Sequence, residues 1–491
     1  MNAKVIGIGI LLLLVWAIMA ISVPDSFLSA NNTENLMRRT AMYGVLGIGV
    51  AFVIITAGID LSIGSAVCLS GCLLTILLRV DYLPKPGTHV LETDLDAGTI
   101  TVTTPAEDFA AGDQFRYIEE RRPRSVVTIT NITSLEKPKG TTQLAVTGLI
   151  ANPKRQGMLV KVYPLKSVDQ ESGTLVIAGQ QRQLAARDKI QFIDPKGVFI
   201  ELSIDDAKIE GDSTQVHVRG DPSKIQGDWV AMPMHRHQRM PVLIALGIVM
   251  LTGILFGFTH GILVTKLHLQ PFVVTLCGLL IYRGISRWSV NDQAVGLGNE
   301  YDTTLGPLAT DKLTLWTSAA GDSFGIPYPF FIFILVAVLA AVFLNRTIWG
   351  RYMLALGRNE EAARFSGINT NAMTILAYVF CTALAALGGI LFLIDANSIS
   401  PSAHGNFFEL YAIAAAVLGG CSLRGGEGSM LGVVIGTALM QTLYNLIVLM
   451  KIPDTLEFAI IGLVILIGVS ADEFFKQIAA RRRAARQQEG E

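Results

Sequence analysis

Ten apolar runs separated by polar breaks limit what this chain can fold into more than any other feature. A helix that crosses about 30 Å of hydrocarbon needs about 20 mostly uncharged residues. Residues 5–23 (VIGIGILLLLVWAIMAISV) meet that need and are too long for the apolar part of a cleaved leader, so they read as an uncleaved first helix. The runs 43–57, 62–79, 241–264, 271–286, 327–344, 372–394, 408–419, 429–450 and 456–470 follow. The expected fold is a polytopic α-helical membrane protein of about ten transmembrane helices, several of them broken, with an all-β soluble insert. Broken helices are tolerated at membrane depth only against protein or a water-filled path. The body therefore reads as a channel or transporter and not as an anchor.

Charge placement sets the boundaries. Of 39 Lys+Arg and 40 Asp+Glu, 20 and 21 fall within residues 81–240. The chain divides into a first membrane part, 1–80, with three helices; an insert, 81–240; a second membrane part, 241–475, with seven helices; and a basic tail, 476–491. A net charge of −1 excludes a nucleic-acid footprint. Cys68, Cys72, Cys277, Cys381 and Cys421 sit in or beside apolar runs without disulfide or zinc spacing, and His235 and His237 lack a third ligand nearby. No metal, cofactor or catalytic residue is expected.

The insert alternates apolar and polar residues between Gly, Pro and Asp, which predicts strands. It also repeats itself. GTITVTTPAEDFAAGDQFRYI (98–118) aligns with GTLVIAGQQRQLAARDKIQFI (173–193), and TTQLAVTG (141–148) with STQVHVRG (213–220). Asp113 and Asp188 occupy one repeat position, where a turn role is favoured over a ligand role. The insert reads as a binding or spacing module.

Orientation follows from the basic residues. Lys476, Arg481, Arg482, Arg483 and Arg486 place the tail in the cytoplasm, and an even number of spans places the N-terminus and the loop 345–371 there too. The insert then falls on the periplasmic side. Arg38, Arg39, Arg283 and Arg287 fall on that outer side as well, against the usual bias. Gly253, Gly257 and Gly261, like Gly428, Gly432 and Gly436, recur every four residues and predict close helix packing.

Three segments are not generic. Gly-Ile-Asp-Leu-Ser (58–62) breaks two apolar runs, and Asp60 either caps the following helix or lines a path. A path or break set of Thr56, Gly58, Asp60, Ser62, Asn397 and Tyr444 is expected. The segment GGCSLRGGEGSM (419–430) makes a second break at Gly419, Gly420, Ser422, Gly425, Gly426 and Gly428, with Arg424 and Glu427 facing a partner or each other. Arg358, Asn359, Glu360, Glu361, Ala362 and Ala363, followed by Gly367, suggest a short helix and a breaker, suited to docking on a soluble partner or simply solvated.

VLGIGVAFVIITAGIDLSIGSAVCLSG (45–71), LHLQPFVVTLCGLLIYRG (267–284), ALGRNEEAARFSGINT (355–370) and AAAVLGGCSLRGGEGSMLGVVIGTALMQTLYNLIVLMKIP (414–453) resemble, in order, the sugar branch of bacterial ABC-transporter permeases. Ala57 stands where that family's T-G-G-I-D-L-S core has its first glycine, and the insert replaces a short outer loop. The resemblance implies an inner-membrane permease for a monosaccharide or similar small polar solute. It also implies an ATP-binding subunit docked on the 358–367 coupling segment, a solute-binding protein outside, and a second permease copy or paralogue. The chain has no phosphate loop of its own, since KPKGTTQ (137–143) lacks the spacing. A permease for branched-chain amino acids or nucleosides is the alternative reading. A membrane-anchored envelope scaffold displaying the β domain is a more distant one.

Overall fold

A computed structural model describes residues 3–470 except 86, 95, 120–121, 136–140, 149–156, 171, 182–183, 195–197, 226–227, 318–322, 458, 464–465 and 467–469. Contacts divide the chain into two compact units, Met1–Arg79 with Met240–Glu491, and Val80–Arg239.

The first unit is helical: α1 (Ala3–Ser22), α2 (Pro24–Phe27), α3 (Ala30–Ile55), α4 (Ile63–Leu77), α5 (Val242–Lys266), α6 (Pro271–Ser289), α7 (Gly306–Thr310), α8 (Tyr328–Arg346), α9 (Ile348–Arg358), α10 (Glu360–Phe365), α11 (Thr370–Ala396), α12 (Phe408–Leu418) and α13 (Met430–Leu449). Among the described residues, Val5–Ser22, Ala30–Ile55, Val242–Lys266, Tyr328–Arg346, Thr370–Ala396 and Met430–Leu449 are long and apolar enough to cross a membrane, and α4 and α12 are shorter apolar helices. Residues 458, 464–465 and 467–469 of the run 456–470, and the whole tail 476–491, lie outside the described residues.

Every residue of α3 from Thr40 to Ile55 except Tyr43 is buried, as expected of a helix apolar on all sides at the centre of its unit. By contrast α1 leaves Leu13 67% and Ile21 82% exposed, the surface of a helix that faces lipid. The Gly253/Gly257/Gly261 stripe lets α5 lie against α11. A Cβ at Gly253 would stand 2.6 Å from that of Ala386, and Thr382 Oγ1 donates to the Gly253 carbonyl at 2.7 Å.

The four arginines that the expected orientation puts against the charge bias all have partners. Arg38 donates to the Thr310 carbonyl at 3.1 Å and lies 3.8 Å from Asp395, and Arg39 covers the Tyr444 ring at 5.0 Å. Arg283 donates to the Pro401 and His404 carbonyls at 3.0 and 2.6 Å, and Arg287 forms a two-point pair with Asp292. Cations committed to the fold in this way are not free loop charges, so the usual bias does not govern them.

Among the described residues, the second unit holds twelve strands: β1 (Val80–Pro84), β2 (Thr88–Asp94), β3 (Thr99–Val102), β4 (Gln114–Glu119), β5 (Arg122–Leu135), β6 (Thr141–Thr147), β7 (Met158–Asp169), β8 (Thr174–Ala178), β9 (Lys189–Ile193), β10 (Phe199–Glu210), β11 (Ser213–Arg219) and β12 (Val230–Gln238). The repeat seen in the sequence is a repeat of topology. One ring runs β2-β3-β6-β5-β4-β7 and closes on β2; the other runs β7-β8-β11-β10-β9-β12 and closes on β7. A single long strand, β7, ends the first ring and begins the second. Asp113 and Asp188 make the same turn: each side chain accepts from the alanine N–H three residues back (Ala110, Ala185) at 3.1 Å. The residue before each is left-handed, Gly112 at φ 92° and Arg187 at φ 78°. Between the rings, buried Arg116 donates to Gln191 Oε1 at 3.2 Å and covers the Phe199 ring at 5.5 Å. The unit's two ends meet, because β1 pairs antiparallel with β12 from Val80↔Gln238 to Pro84↔Met234.

In the helical unit, a hairpin of β13 (Lys312–Thr317) and β14 (Ser323–Pro327) is tied to the first turns of α3. Glu34, almost fully buried, accepts from Lys312 Nζ at 2.8 and 2.9 Å and from the Gly325 N–H at 2.8 Å. Glu34→Ala leaves the Gly325 N–H without its acceptor and Lys312 with only the Ser323 carbonyl, and is expected to cost about 1–3 kcal/mol. A lowered thermal unfolding midpoint of the full-length chain in detergent checks this; an unchanged midpoint means the hairpin does not rest on Glu34.

Candidate functional site

The first break is a helix end of known type. At the end of α3 the Ala57 N–H reaches the Ile54 carbonyl and the Gly58 N–H the Val53 carbonyl, both at 2.9 Å, with Ala57 left-handed at φ 61°. This is a Schellman motif, in which glycine is the favoured residue at the Ala57 position. Thr56 turns its hydroxyl back to the Phe52 and Val53 carbonyls at 3.3 and 2.9 Å. Two more helices end the same way with glycine in place. Gly367, at φ 82°, closes α10, and Gly420, at φ 89°, closes α12.

Asp60 and Ser62 are fully buried and bound to each other. Asp60 Oδ1 accepts from the Ser62 N–H at 2.8 Å and from its hydroxyl at 2.7 Å, which fixes the turn into α4. Asp60 Oδ2 has no hydrogen-bond partner and stands 3.9 Å from His260 Nδ1, itself unpartnered. His260 Nε2 is 2.9 Å from the Tyr282 hydroxyl. The carbonyl between, that of Ile59, accepts from Thr275 Oγ1 at 3.3 Å and Tyr378 Oη at 3.4 Å. His260, Thr275, Tyr282 and Tyr378 are absent from the expected set. The signal available was a single histidine inside the apolar run 241–264.

The segment 357–367 and the glycine-rich break meet the end of α3 at one junction. The Gly426 N–H donates to the Ile55 carbonyl at 2.9 Å, and Gly426 is left-handed at φ 73°. Gly357 is pressed between that carbonyl and Gly426, and a Cβ on Gly425 would lie 2.8 Å from that of Ala57. The Ser422 N–H donates to the Glu427 carbonyl at 3.0 Å and closes the loop, while Gly428 packs on Ile55. Gly419 abuts Gly432 where α12 crosses α13. From this junction α10 projects. Asn359 caps it by accepting from the Ala362 N–H at 2.9 Å, and Arg364 pairs with Glu360 at 2.8 Å. Ala363 is buried beneath, Arg358, Glu361 and Ala362 lie on the exposed side, and Phe365 is 91% exposed at the tip.

The expected path residues do not converge. Thr56, Gly58, Asp60 and Ser62 lie together by the junction. Asn397 ends α11, whose 27 residues span about 40 Å from the junction end. There its side chain binds the Leu297 N–H at 3.1 Å and the Gly298 carbonyl at 2.9 Å, at the edge of a cavity of about 270 Å³ with Asp302 and Asp395. Tyr444 lies on α13 under Arg39.

The family model described as branched-chain amino acid transport system / permease component matches residues 225–469. The chain is 35% identical to the ribose import permease of Escherichia coli K12 over 231 residues, 47% of this chain and 68% of that protein. It is 30% identical to the fructose import permease of Rhizobium meliloti, over 49% of this chain and 64% of that one. It is 32% identical to the L-arabinose transport system permease of Escherichia coli K12, over 45% and 63%. No solved structure matches.

Two substitutions read this geometry. Ala57→Gly removes the left-handed strain and is expected to stabilise the full-length chain by about 1 kcal/mol; a lowered unfolding midpoint would contradict the assignment of Ala57. Asp60→Ala strips the Ser62 N–H and hydroxyl of their acceptor and is expected to cost about 1–3 kcal/mol, whereas Asp60→Asn keeps an acceptor oxygen and loses less. Equal midpoints for the two variants count against the turn role.

Proposed function

This chain belongs to the sugar-type permease family of bacterial ATP-binding-cassette transporters, and from that premise we propose that it is the membrane-spanning subunit of an importer for a monosaccharide or similar small polar solute. ATP is hydrolysed in a separate subunit, and the chain itself makes no covalent chemistry. The observation that carries this is the junction of Gly357, Gly425 and Gly426 with the end of α3. It presents a short, capped, exposed helix on the same rigid seat as a broken membrane helix, which is what transmitting nucleotide-driven motion requires.

In this reading α10 faces the cytoplasm and receives the ATP-binding subunit. The apolar segments 271–286 and 456–470 complete ten spans in the cytoplasmic membrane. The β insert, 81–240, lies in the periplasm, where a solute-binding protein docks, and it collars that docking site or contacts the envelope. A second copy or a paralogue completes the transporter. Branched-chain amino acids are the second reading, favoured by the description of the matching family model. Sugars are preferred because the relatives at 30–35% identity are named for ribose, fructose and arabinose.

Phe365 is the anchor a partner groove would take up. Phe365→Asp and Glu361→Lys are each expected to reduce recovery of an ATP-binding subunit with the tagged chain at least tenfold after gentle detergent extraction, with the chain's own yield unchanged. Full recovery with both variants would move the docking surface elsewhere.

A further inference from the structure

One cluster in the helical unit is used by neither the break nor the junction. On α3, Arg39 and Tyr43 stand one helical turn apart. Arg39 covers the Tyr444 ring of α13 at 5.0 Å. The Tyr43 ring meets that of Tyr411, on α12, at 5.6 Å between centroids, and the Tyr411 hydroxyl donates to Glu457 Oε1. Arg39, Tyr444 and Glu457 all lie within electrostatic reach of the Tyr43 hydroxyl. Four separate segments thus bring three phenols, a guanidinium and a carboxylate to one place. Arg39 is exposed and the other four are half-buried, so the cluster has an open side.

Depth decides what that side faces. Arg39 ends the polar first turns of α3 (ANNTENLMRR, 30–39) and Tyr43 opens its apolar stretch, so the cluster stands where the helix passes from polar to apolar. A charge facing lipid is costly at the bilayer centre and least so where the helix turns polar. Charged groups of both signs side by side at that level belong against water or a polar solute. Their chemistry is selective. Aromatic rings present apolar faces to the C–H face of a sugar ring, the guanidinium donates to hydroxyl oxygens, and the carboxylate accepts from hydroxyl hydrogens.

We infer that Arg39, Tyr43, Tyr411, Tyr444 and Glu457 form a recognition site for an uncharged polyhydroxy solute within the membrane-spanning part of the chain. The inference rests on the permease reading and adds to it where the solute is held. It also gives Arg39 a reason to sit on the side of the membrane where the charge bias disfavours it. The solute replaces part of the Tyr411–Glu457 contact and lies between the Tyr43 and Tyr444 rings, with Arg39 closing over it.

The test uses the purified full-length chain in lipid nanodiscs. Its thermal unfolding midpoint is followed with D-ribose, D-fructose or L-arabinose at about 50 mM, with glycerol at equal concentration correcting for general osmolyte effects. At least one sugar is expected to raise the wild-type midpoint above the glycerol control. Glu457→Gln and Tyr444→Ala are each expected to lose at least four-fifths of that rise while retaining a cooperative transition of their own, and Tyr444→Phe to keep most of it. No rise in the wild-type chain with any of the three overturns the site, and so does a full rise in Glu457→Gln. If Tyr444→Ala does not fold, Glu457→Gln decides alone. Recovery of an ATP-binding subunit with the same preparation reports on the permease reading separately, so a failed site and a failed permease assignment give different results.

Discussion

A helix interrupted inside a bilayer must find a partner for every peptide group it frees, because no water is there to supply one. The segment 56–62 meets that demand by recruiting from the whole helical unit. The Ile55 carbonyl goes to Gly426, the Ile59 carbonyl to hydroxyls on α6 and α11, and the Ser62 N–H to Asp60. The bonds to the Ile55 and Ile59 carbonyls come from distant parts of the chain, so the break fixes where α6, α11 and the glycine-rich loop stand relative to α3. The glycines at 357, 425 and 426 follow from the same demand, since a backbone N–H can reach a backbone carbonyl only where no Cβ keeps the two strands of chain apart.

Much of this was legible in the sequence because it has a period. Apolar runs marked the helices, four-residue glycine stripes marked close helix packing without naming the partner, and the 98–118/173–193 repeat foretold two equivalent units down to the turn at Asp113 and Asp188. Gly367 and Gly420 were readable as breakers, and both close their helices in left-handed conformations. What could not be read were pairings between residues far apart in the chain. Glu34 with Lys312, Arg38 with Asp395 and Asp60 with His260 join residues hundreds of positions apart, and neither partner's neighbours carry a sign of the other. The arginines that contradicted the charge bias were informative for that reason: Arg38, Arg39 and Arg283 each marked a long-range contact, and Arg287 a local pair. The expected path residues lie on separate elements, and polarity within an apolar run identifies a residue that needs a partner, not which partner it has.

α3 and α11 connect the two ends of the helical unit. α3 runs from the hairpin held by Glu34, past Arg39 and Tyr43, to the Schellman turn at Ala57. α11 runs from beside α10 to the Asn397 corner. In the proposed transporter, a force applied at Phe365 is therefore delivered to rigid rods, and the soft points are the breaks at 56–62 and 419–428. The left-handed Ala57 makes the first of these less tightly held than a glycine would, which leaves that turn closer in free energy to alternatives.

The meeting of β1 with β12 bears on how such a chain could arise. The entry and exit of the insert are neighbours in one ladder, about 5 Å apart at Asp81 and His237. A loop of a few residues and a domain of 160 thus present the same gap to the helices on either side. A gene segment encoding a module with adjoining ends can enter or leave a membrane protein in one event without re-spacing its spans. Because β7 belongs to both rings, the two copies would have to move together, so lineages are expected to carry the pair whole or not at all.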